Sequence, residues 1–261
     1  MIILTESFGK HSNRLFQAIH FEAYCIEHGH KFYNATFLDM GHLYPNIKTG
    51  WLSAAISVVA RLFNRPARVV GVRQDPHSVS DIKRATKFPI VLVGGWNFRV
   101  HDLTEKFQNY FIEKYSIDKG LLLDIQLVAQ ITKWKLDNNI VIGLHVRRGD
   151  YNTWQDGKYF YPDAVYERYA NLLSGLITAA GGRAKIVVFS NEATSIEERL
   201  DCELSKNEWY IDHFLMSQCD FLIGPPSTFT LWASYIGKTR YYHIENPSST
   251  ISLSDFRYCC G

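Results

Sequence analysis

Short runs of apolar and β-branched residues recur along this chain, separated by longer stretches of mixed polarity. The runs at 2–4, 69–72 and 90–93, and again at 140–146, 185–190, 220–224 and 240–244, have the length and continuity of strands covered on both faces. Between them, NRLFQAIHFEAYCIEH at 13–28 sets Leu15, Phe16, Ile19, Ala23 and Ile26 on one helical stripe, and Gly29 is a natural terminator. A second helical stretch covers 124–136, and Asp137-Asn138-Asn139 breaks the chain before the run at 140. The alternation predicts an α/β fold with parallel sheets. The break divides the chain into lobes 1–137 and 138–261, each of ordinary domain size, with a cleft between them for ligands.

The longest apolar segment, WLSAAISVVARLF at 51–63, contains Arg61 and falls short of the roughly 20 residues a bilayer span requires. It reads first as a packed helix and second as an in-plane membrane contact helped by the arginines that follow. Residues 61–99 hold Arg61, Arg65, Arg68, Arg73, Lys83, Arg84, Lys87 and Arg99 against Asp75 and Asp81. This basic stretch is a solvated face or an anion-attracting patch. Over the whole chain the formal net charge is only +2, which excludes a dedicated nucleic-acid binder. The 5 cysteines form neither CxxC nor a zinc spacing, so no metal site is expected, and their odd number points to reduced thiols in a cytoplasmic setting. The start, MIILTES, has no export signal. The last pair, Cys259-Cys260, reads as a frayed end more readily than as a lipidation site.

Three segments carry candidate chemistry. In VIGLHVRRGDY at 141–151 an apolar strand ends in Arg147-Arg148-Gly149-Asp150, placing charge at the carboxyl edge of the sheet, where open α/β sheets bind ligands. One arginine is expected to enter the cleft and clamp a diphosphate; the other is expected to pair with Asp150. In YIDHFLMSQCD at 210–220, Asp212 opens a helix whose apolar face holds Ile211, Phe214, Leu215 and Cys219. A carboxylate there suits the N1–H and N2–H₂ edge of guanine, and it suits the helix macrodipole equally. In GPPSTFTLWA at 224–233, Ser227, Thr228 and Phe229 sit between a strand and a helix, a turn that binds phosphate through N–H groups or simply caps the helix.

Taken with GKHSNRLFQ at 9–17, these segments resemble the α-1,2-fucosyltransferases of glycosyltransferase family 11. The resemblance runs in order through Phe-Gln after a Gly/Asn-containing opening, H-x-R-R-x-D at His145–Asp150, F-S-x-E at Phe189-Ser190-Asn191-Glu192, D-x-x-x-M-S-x-C-D at Asp212–Asp220, and S-T-F-x-x-W-A at Ser227–Ala233. Two departures stand out: Gly9-Lys10-His11-Ser12-Asn13-Arg14 where the family reads nearer to G-x-x-G-N-Q, and Asn191-Glu192 in place of two aspartates.

The resemblance implies two Rossmann-like lobes of the glycosyltransferase B type, an acceptor-side N-terminal lobe and a C-terminal lobe that binds the nucleotide sugar. It implies GDP-β-L-fucose as donor, inversion at the anomeric carbon, an oligosaccharide acceptor and no metal. On that reading Arg147 stabilises the departing diphosphate, assisted by Arg148, Ser227, Thr228 and Phe229. Asp212 and His145 hold the guanosine, and Ser190 and Asn13 contact donor or acceptor. Asp156 is favoured as general base over Asp150, Glu6 and His11, and Trp154 and Tyr159 offer stacking surfaces for a sugar. Two other readings stay open: a non-catalytic nucleotide- or glycan-binding module, and a GDP-sugar transferase of different linkage.

Overall fold

In a computed structural model of the chain, the described residues are 1–47, 55, 58, 72–74 and 77–261. The expected helix at 51–63, apart from positions 55 and 58, and the first part of the basic stretch lie outside them. The chain forms two compact units, residues 1–118 with 260–261 and residues 119–259.

The sheet of the first unit has the order β2-β1-β4-β3, from β1 (Ile2–Leu4), β2 (Phe32–Asn34), β3 (Val72–Gln74) and β4 (Val91–Val93), all parallel. All three residues of β1 and of β4 are buried, as continuous apolar runs require when both faces are covered. Helix α1 (His11–Glu27) buries most of its circumference rather than one stripe, and of the expected stripe only Ile26 stands out to solvent. It ends in a Schellman turn: Gly29 N–H donates to Ile26 O and His30 N–H to Cys25 O, with Gly29 at φ +67°. Buried Glu22 on α1 accepts from Lys114 and from the Tyr110 hydroxyl, so its charge is paired rather than stranded. Helices α2 (Val79–Ala85), α3 (His101–Lys106) and α4 (Gln108–Lys114) complete the described part of this unit.

The second unit has a parallel sheet of order β7-β6-β5-β8-β9, from β5 (Asn139–Val146), β6 (Arg183–Ser190), β7 (Glu203–Leu204), β8 (Phe221–Gly224) and β9 (Arg240–His243). From β5 the chain winds outward through β6 and β7, then returns to the other side of β5 for β8 and β9. That reversal creates a crevice at the carboxyl ends of β5 and β8, the place where doubly wound sheets take ligands. Helix α5 (Gln126–Leu136) packs on β5, so the division between units lies at 118/119 instead of the expected 137/138. Helix α6 (Asp163–Ala179) turns Tyr166, Tyr169, Ala170, Leu173 and Ile177 onto the sheet, one face at helical spacing. Burying Leu173 and Ile177 contributes roughly 1.5–3 kcal/mol each. Helices α7 (Trp209–Ser217) and α8 (Thr228–Gly237) flank the crevice.

The chain end is not frayed through Cys259. Tyr241 and Arg257 exchange backbone hydrogen bonds, Phe256 packs edge-on to Phe221, and buried Cys259 donates its N–H to Ser234 Oγ. All 5 cysteines are free thiols.

Candidate active site

The crevice of the second unit holds a cavity of about 270 Å³ lined by His145, Arg147, Phe189, Ser190, Asn191, Asn207, Glu208, Trp209, Asp212 and Phe229. Strands β5 and β6 deliver the first five at their carboxyl ends, paired in register so that Val146 lies beside Ser190. The start of α7 supplies Trp209 and Asp212, and the start of α8 supplies Phe229.

His145 is buried, with Nδ1 at 2.8 Å from the Thr230 hydroxyl and its ring 5.3 Å from that of Phe229. Burial, then the nearby Arg147 and His243, push its pKa down to about 3, so the imidazole is neutral at physiological pH. Phe229 in turn stacks on His213 at 3.8 Å. Of these rings, His145 and Phe229 line the cavity.

The two adjacent arginines do different work. Tyr166, buried on α6, brackets the Arg147 backbone: its hydroxyl accepts from Arg147 N–H at 3.3 Å and donates to Arg147 O at 3.5 Å. The Arg147 guanidinium donates from Nη2 to Asp150 at 2.9 Å, lies 5.2 Å from the Tyr151 ring and keeps a buried Nε with no hydrogen-bond partner among the described residues. Asp150 therefore pairs with Arg147, the reverse of the expected assignment. Arg148 does not enter the cavity. Its guanidinium binds Asp163 and the Tyr161 carbonyl, and its N–H donates to Asn191 Oδ1 at 2.8 Å. Burial alone would raise the Asp163 carboxyl, but Ser195, Arg148 and Thr194 outweigh it and hold the carboxyl below its ordinary value. Arg148 is thus a structural cation joining the β5 edge to the start of α6, and its expected contact with a donor is withdrawn.

Asp212 is buried in the first turn of α7, where it accepts a short hydrogen bond from Ser205, which is itself held by Asn207 Nδ2 at 2.9 Å. Burial pushes its pKa up to about 7; Ser205 opposes the shift and Glu208 adds to it. A carboxyl so placed ionises readily once a ligand offers it donors. Ser205, Asn207, Glu208 and Trp209 escaped the sequence reading, although a hydroxyl and an amide directly before a helix start were a signal for them.

The turn before α8 is largely self-satisfied. The Ser227 side chain caps the helix by accepting from Phe229 N–H at 3.2 Å, and Ser227 N–H faces His243 Nε2 at 3.4 Å. Burial, with Arg257 adding to it, pushes His243 down to about 4, a residue the sequence reading missed. Only Phe229 of Ser227, Thr228 and Phe229 reaches the cavity wall. Asp150 and Asp156 lie outside that wall; Asp156 is exposed on a turn where it and Gln155 have φ of 56° and 49°. Trp154 lies 4.8 Å from the Tyr151 ring and 5.6 Å from that of Tyr159, which is buried.

In the first unit, Gln17 ties two loops together: its Oε1 accepts from Phe8 N–H at 3.2 Å, and its Nε2 donates to Gly95 O at 2.6 Å. Arg14 is committed to Asp39 at 2.8 and 2.6 Å, and the Oδ1 of Asn13 is buried without a hydrogen bond among the described residues. Among the described residues no group of His, Cys, Asp and Glu could hold a metal ion, and no helix is long and apolar enough to cross a membrane.

Two Rossmann-like units, one with a cavity at the strand reversal walled by an arginine and a buried carboxyl, give the chain the fold of the two-lobed B-type glycosyltransferases. The family model described as Glycosyl transferase family 11 matches residues 81–254, about two thirds of the chain, and the chain belongs to that family. It is similar in structure to a mutant of Arabidopsis thaliana FUT1 in complex with GDP, at 14% identity over 98% of this chain and 73% of that one, with a TM-score of 0.60. It is also similar to the fucosyltransferase NodZ from Bradyrhizobium, at 12% identity over 95% and 96% of the two chains, TM-score 0.56. A third similar structure, NodZ α-1,6-fucosyltransferase soaked with GDP-fucose, gives 11% identity over 98% and 97%, TM-score 0.55. No curated protein sequence matches the chain.

Proposed function

We propose that this chain is an inverting fucosyltransferase that moves L-fucose from GDP-β-L-fucose to a sugar hydroxyl, forming an α-1,2 linkage on a galactoside or surface glycan. The observation that carries the reading is Arg147, a cation in the cavity wall whose buried Nε has no partner among the described residues. A buried donor left unpaired costs stability, roughly 1–3 kcal/mol, and a ligand oxygen would satisfy it. The descriptions of the similar FUT1 and NodZ structures, which name GDP and GDP-fucose, support the choice of donor.

In this reaction the acceptor oxygen attacks the anomeric carbon as the bond to the diphosphate breaks, and the diphosphate gains negative charge. Arg147 stabilises that charge, and with it in place the reaction needs no metal. Asp212, ionised in the complex, accepts the two donors of the guanine edge, a pattern adenine and uracil do not offer. Neutral His145 and the Phe229 ring wall the nucleotide site, and Ser190 borders it. Asp156 takes the proton from the acceptor hydroxyl. The first unit serves the acceptor and the second the donor, and the enzyme works in the cytoplasm, with the basic stretch offering a peripheral contact to anionic membrane.

The test is GDP release from GDP-fucose, beside GDP-mannose, with and without a panel of galactosides, followed by NMR assignment of the product linkage. Multiple turnovers with GDP-fucose and a 1,2-linked product are expected. A 1,6-linked product, the linkage named for NodZ, would replace the linkage. Stoichiometric GDP-fucose binding without turnover would make the chain a binding module.

A further inference from the structure

Two residues beside the cavity have no part in the reaction described above. Ser205 and Asn207 stand directly before α7, and both are of the type that caps a helix, yet α7 has no side-chain cap. Their hydrogen bonds go elsewhere. Asn207 Nδ2 donates to Ser205 Oγ at 2.9 Å, and Ser205 Oγ donates to Asp212 Oδ1. A hydroxyl has a single proton. With its oxygen accepting from Asn207, Ser205 turns that proton to Asp212, so the relay runs one way, from amide to hydroxyl to carboxyl. The backbone holds it in place: Ser205 N–H donates to Val188 O at 2.9 Å, extending the β6–β7 pairing by one residue, and Ser205 and Asp212 are both buried. Neither Ser205 nor Asn207 lies in the segments that carry the family resemblance.

The relay matters because of what surrounds the carboxyl. The other titratable groups lining the cavity are Glu208 at the start of α7 and, from β5, Arg147 and the neutral His145. Lys206, between the two relay residues, is exposed. Burial and the Glu208 charge favour the protonated carboxyl, and the Ser205 hydroxyl opposes them. A donor to a carboxylate stabilises its ionised form, which is the form that can accept from a nucleobase edge carrying adjacent N–H donors. A carboxylate has about four acceptor sites and Ser205 takes one, so both oxygens keep room for a ligand.

We infer that Ser205 and Asn207 are positioning residues for Asp212, a one-way hydrogen-bond relay that holds its carboxyl ionisable inside a buried wall. As a device for nucleotide recognition this rests on the GDP reading above; as a relay acting on Asp212 it does not.

The first measurement needs no ligand. Carboxyl ¹³C NMR of the whole chain, with the Asp212 resonance assigned by its absence in Asp212→Asn, should show a midpoint near pH 7. Ser205→Ala should raise that midpoint by about one pH unit or more, the worth of one hydrogen bond to a charged group. Asn207→Ala should raise it by less, and should add nothing once Ser205 is alanine, since a relay has no separate path. Ser205→Thr, which keeps the hydroxyl, should stay near the parent. Thermal transitions verify folding, and Asn207→Ala, at a half-buried position, carries the test if Ser205→Ala does not fold. The second measurement is calorimetric titration with GDP. The affinity lost by Ser205→Ala should shrink from about tenfold at pH 6.5 to less than about twofold at pH 8.5, because only the ionised fraction binds. A purely structural defect would cost the same at both. A midpoint indifferent to both alanine variants, additive shifts in the double variant, or a loss independent of pH overturns the relay. Midpoints that move as stated in a protein that binds no GDP at any pH would leave the relay standing and sink the GDP reading alone.

Discussion

Arg147 donates to Asp150 at 2.9 Å from one nitrogen while another, its buried Nε, has no partner among the described residues. The first contact aims the guanidinium and the second leaves it a donor for a ligand oxygen. Arg147→Ala should therefore lower turnover at saturating GDP-fucose by at least about a hundredfold, the usual loss for one charge-stabilising donor. Arg147→Lys should recover only part of it, because an ammonium lacks the planar fork. Steady-state GDP release measures both, and near-normal turnover in the alanine variant removes Arg147 from the chemistry.

Asp150 and Asp156 can be told apart. Asp150 is half-exposed and paired three residues away, so Asp150→Asn should cost less than about fivefold, in keeping with exposed ion pairs worth about 0–1 kcal/mol. Asp156→Asn should cost on the order of 10²–10⁴ in turnover if it is the base, with GDP affinity preserved. The opposite ranking in a side-by-side assay transfers the role to Asp150.

The carboxyl of Asp212 makes nucleotide binding depend on pH. Its folded pKa of about 7 lies above the ordinary carboxylate value, and guanine requires the ionised form. GDP affinity should consequently fall about tenfold per pH unit as pH drops below 7 and level off above it. In the ligand-free protein the sign is opposite: the native state keeps a proton that the unfolded state releases, so this group's stabilisation is lost as pH rises from about 4 through about 7. Calorimetric titration of GDP between pH 5.5 and 8.5 would read the first slope, and Asp212→Asn should flatten it while weakening binding throughout.

Gly224 ends β8 against the carboxyl end of β5. A Cβ there would lie 2.5 Å from the His145 carbonyl oxygen and 2.9 Å from its Cβ. Gly224→Ala must spread two central strands and should destabilise the second unit by about 1–3 kcal/mol. Urea unfolding gives the number; an unchanged midpoint would mean that the sheet yields at no cost.

The continuous apolar strands were legible in the residue pattern because β1, β4, β5, β6 and β8 are covered on both faces, and a buried run needs no alternation to announce itself. The short edges were not: β2 is Phe-Tyr-Asn and β7 only Glu-Leu, strands whose pairing comes from neighbours rather than from their own composition. At the candidate site, His145, Arg147, Asp212, Ser190 and Phe229 were nameable from the motifs and do meet in one cavity. The partnership of the twin arginines was misjudged because spacing put Asp150 within reach of either. What decided it was Asp163, supplied by the start of α6 and held by Ser195 and Thr194. The dual grip of Gln17 was likewise invisible, since one of its two partners lies 78 positions away.

The divergence of Arg147 and Arg148 has a practical side. Neighbouring letters of the same kind report on different failures: removing Arg148 strips Asp163 of its cation and should first appear as a lower melting temperature, whereas removing Arg147 should appear first in the rate. The pair is therefore a built-in control, by which a laboratory holding only two variants could separate a damaged scaffold from a disarmed catalyst.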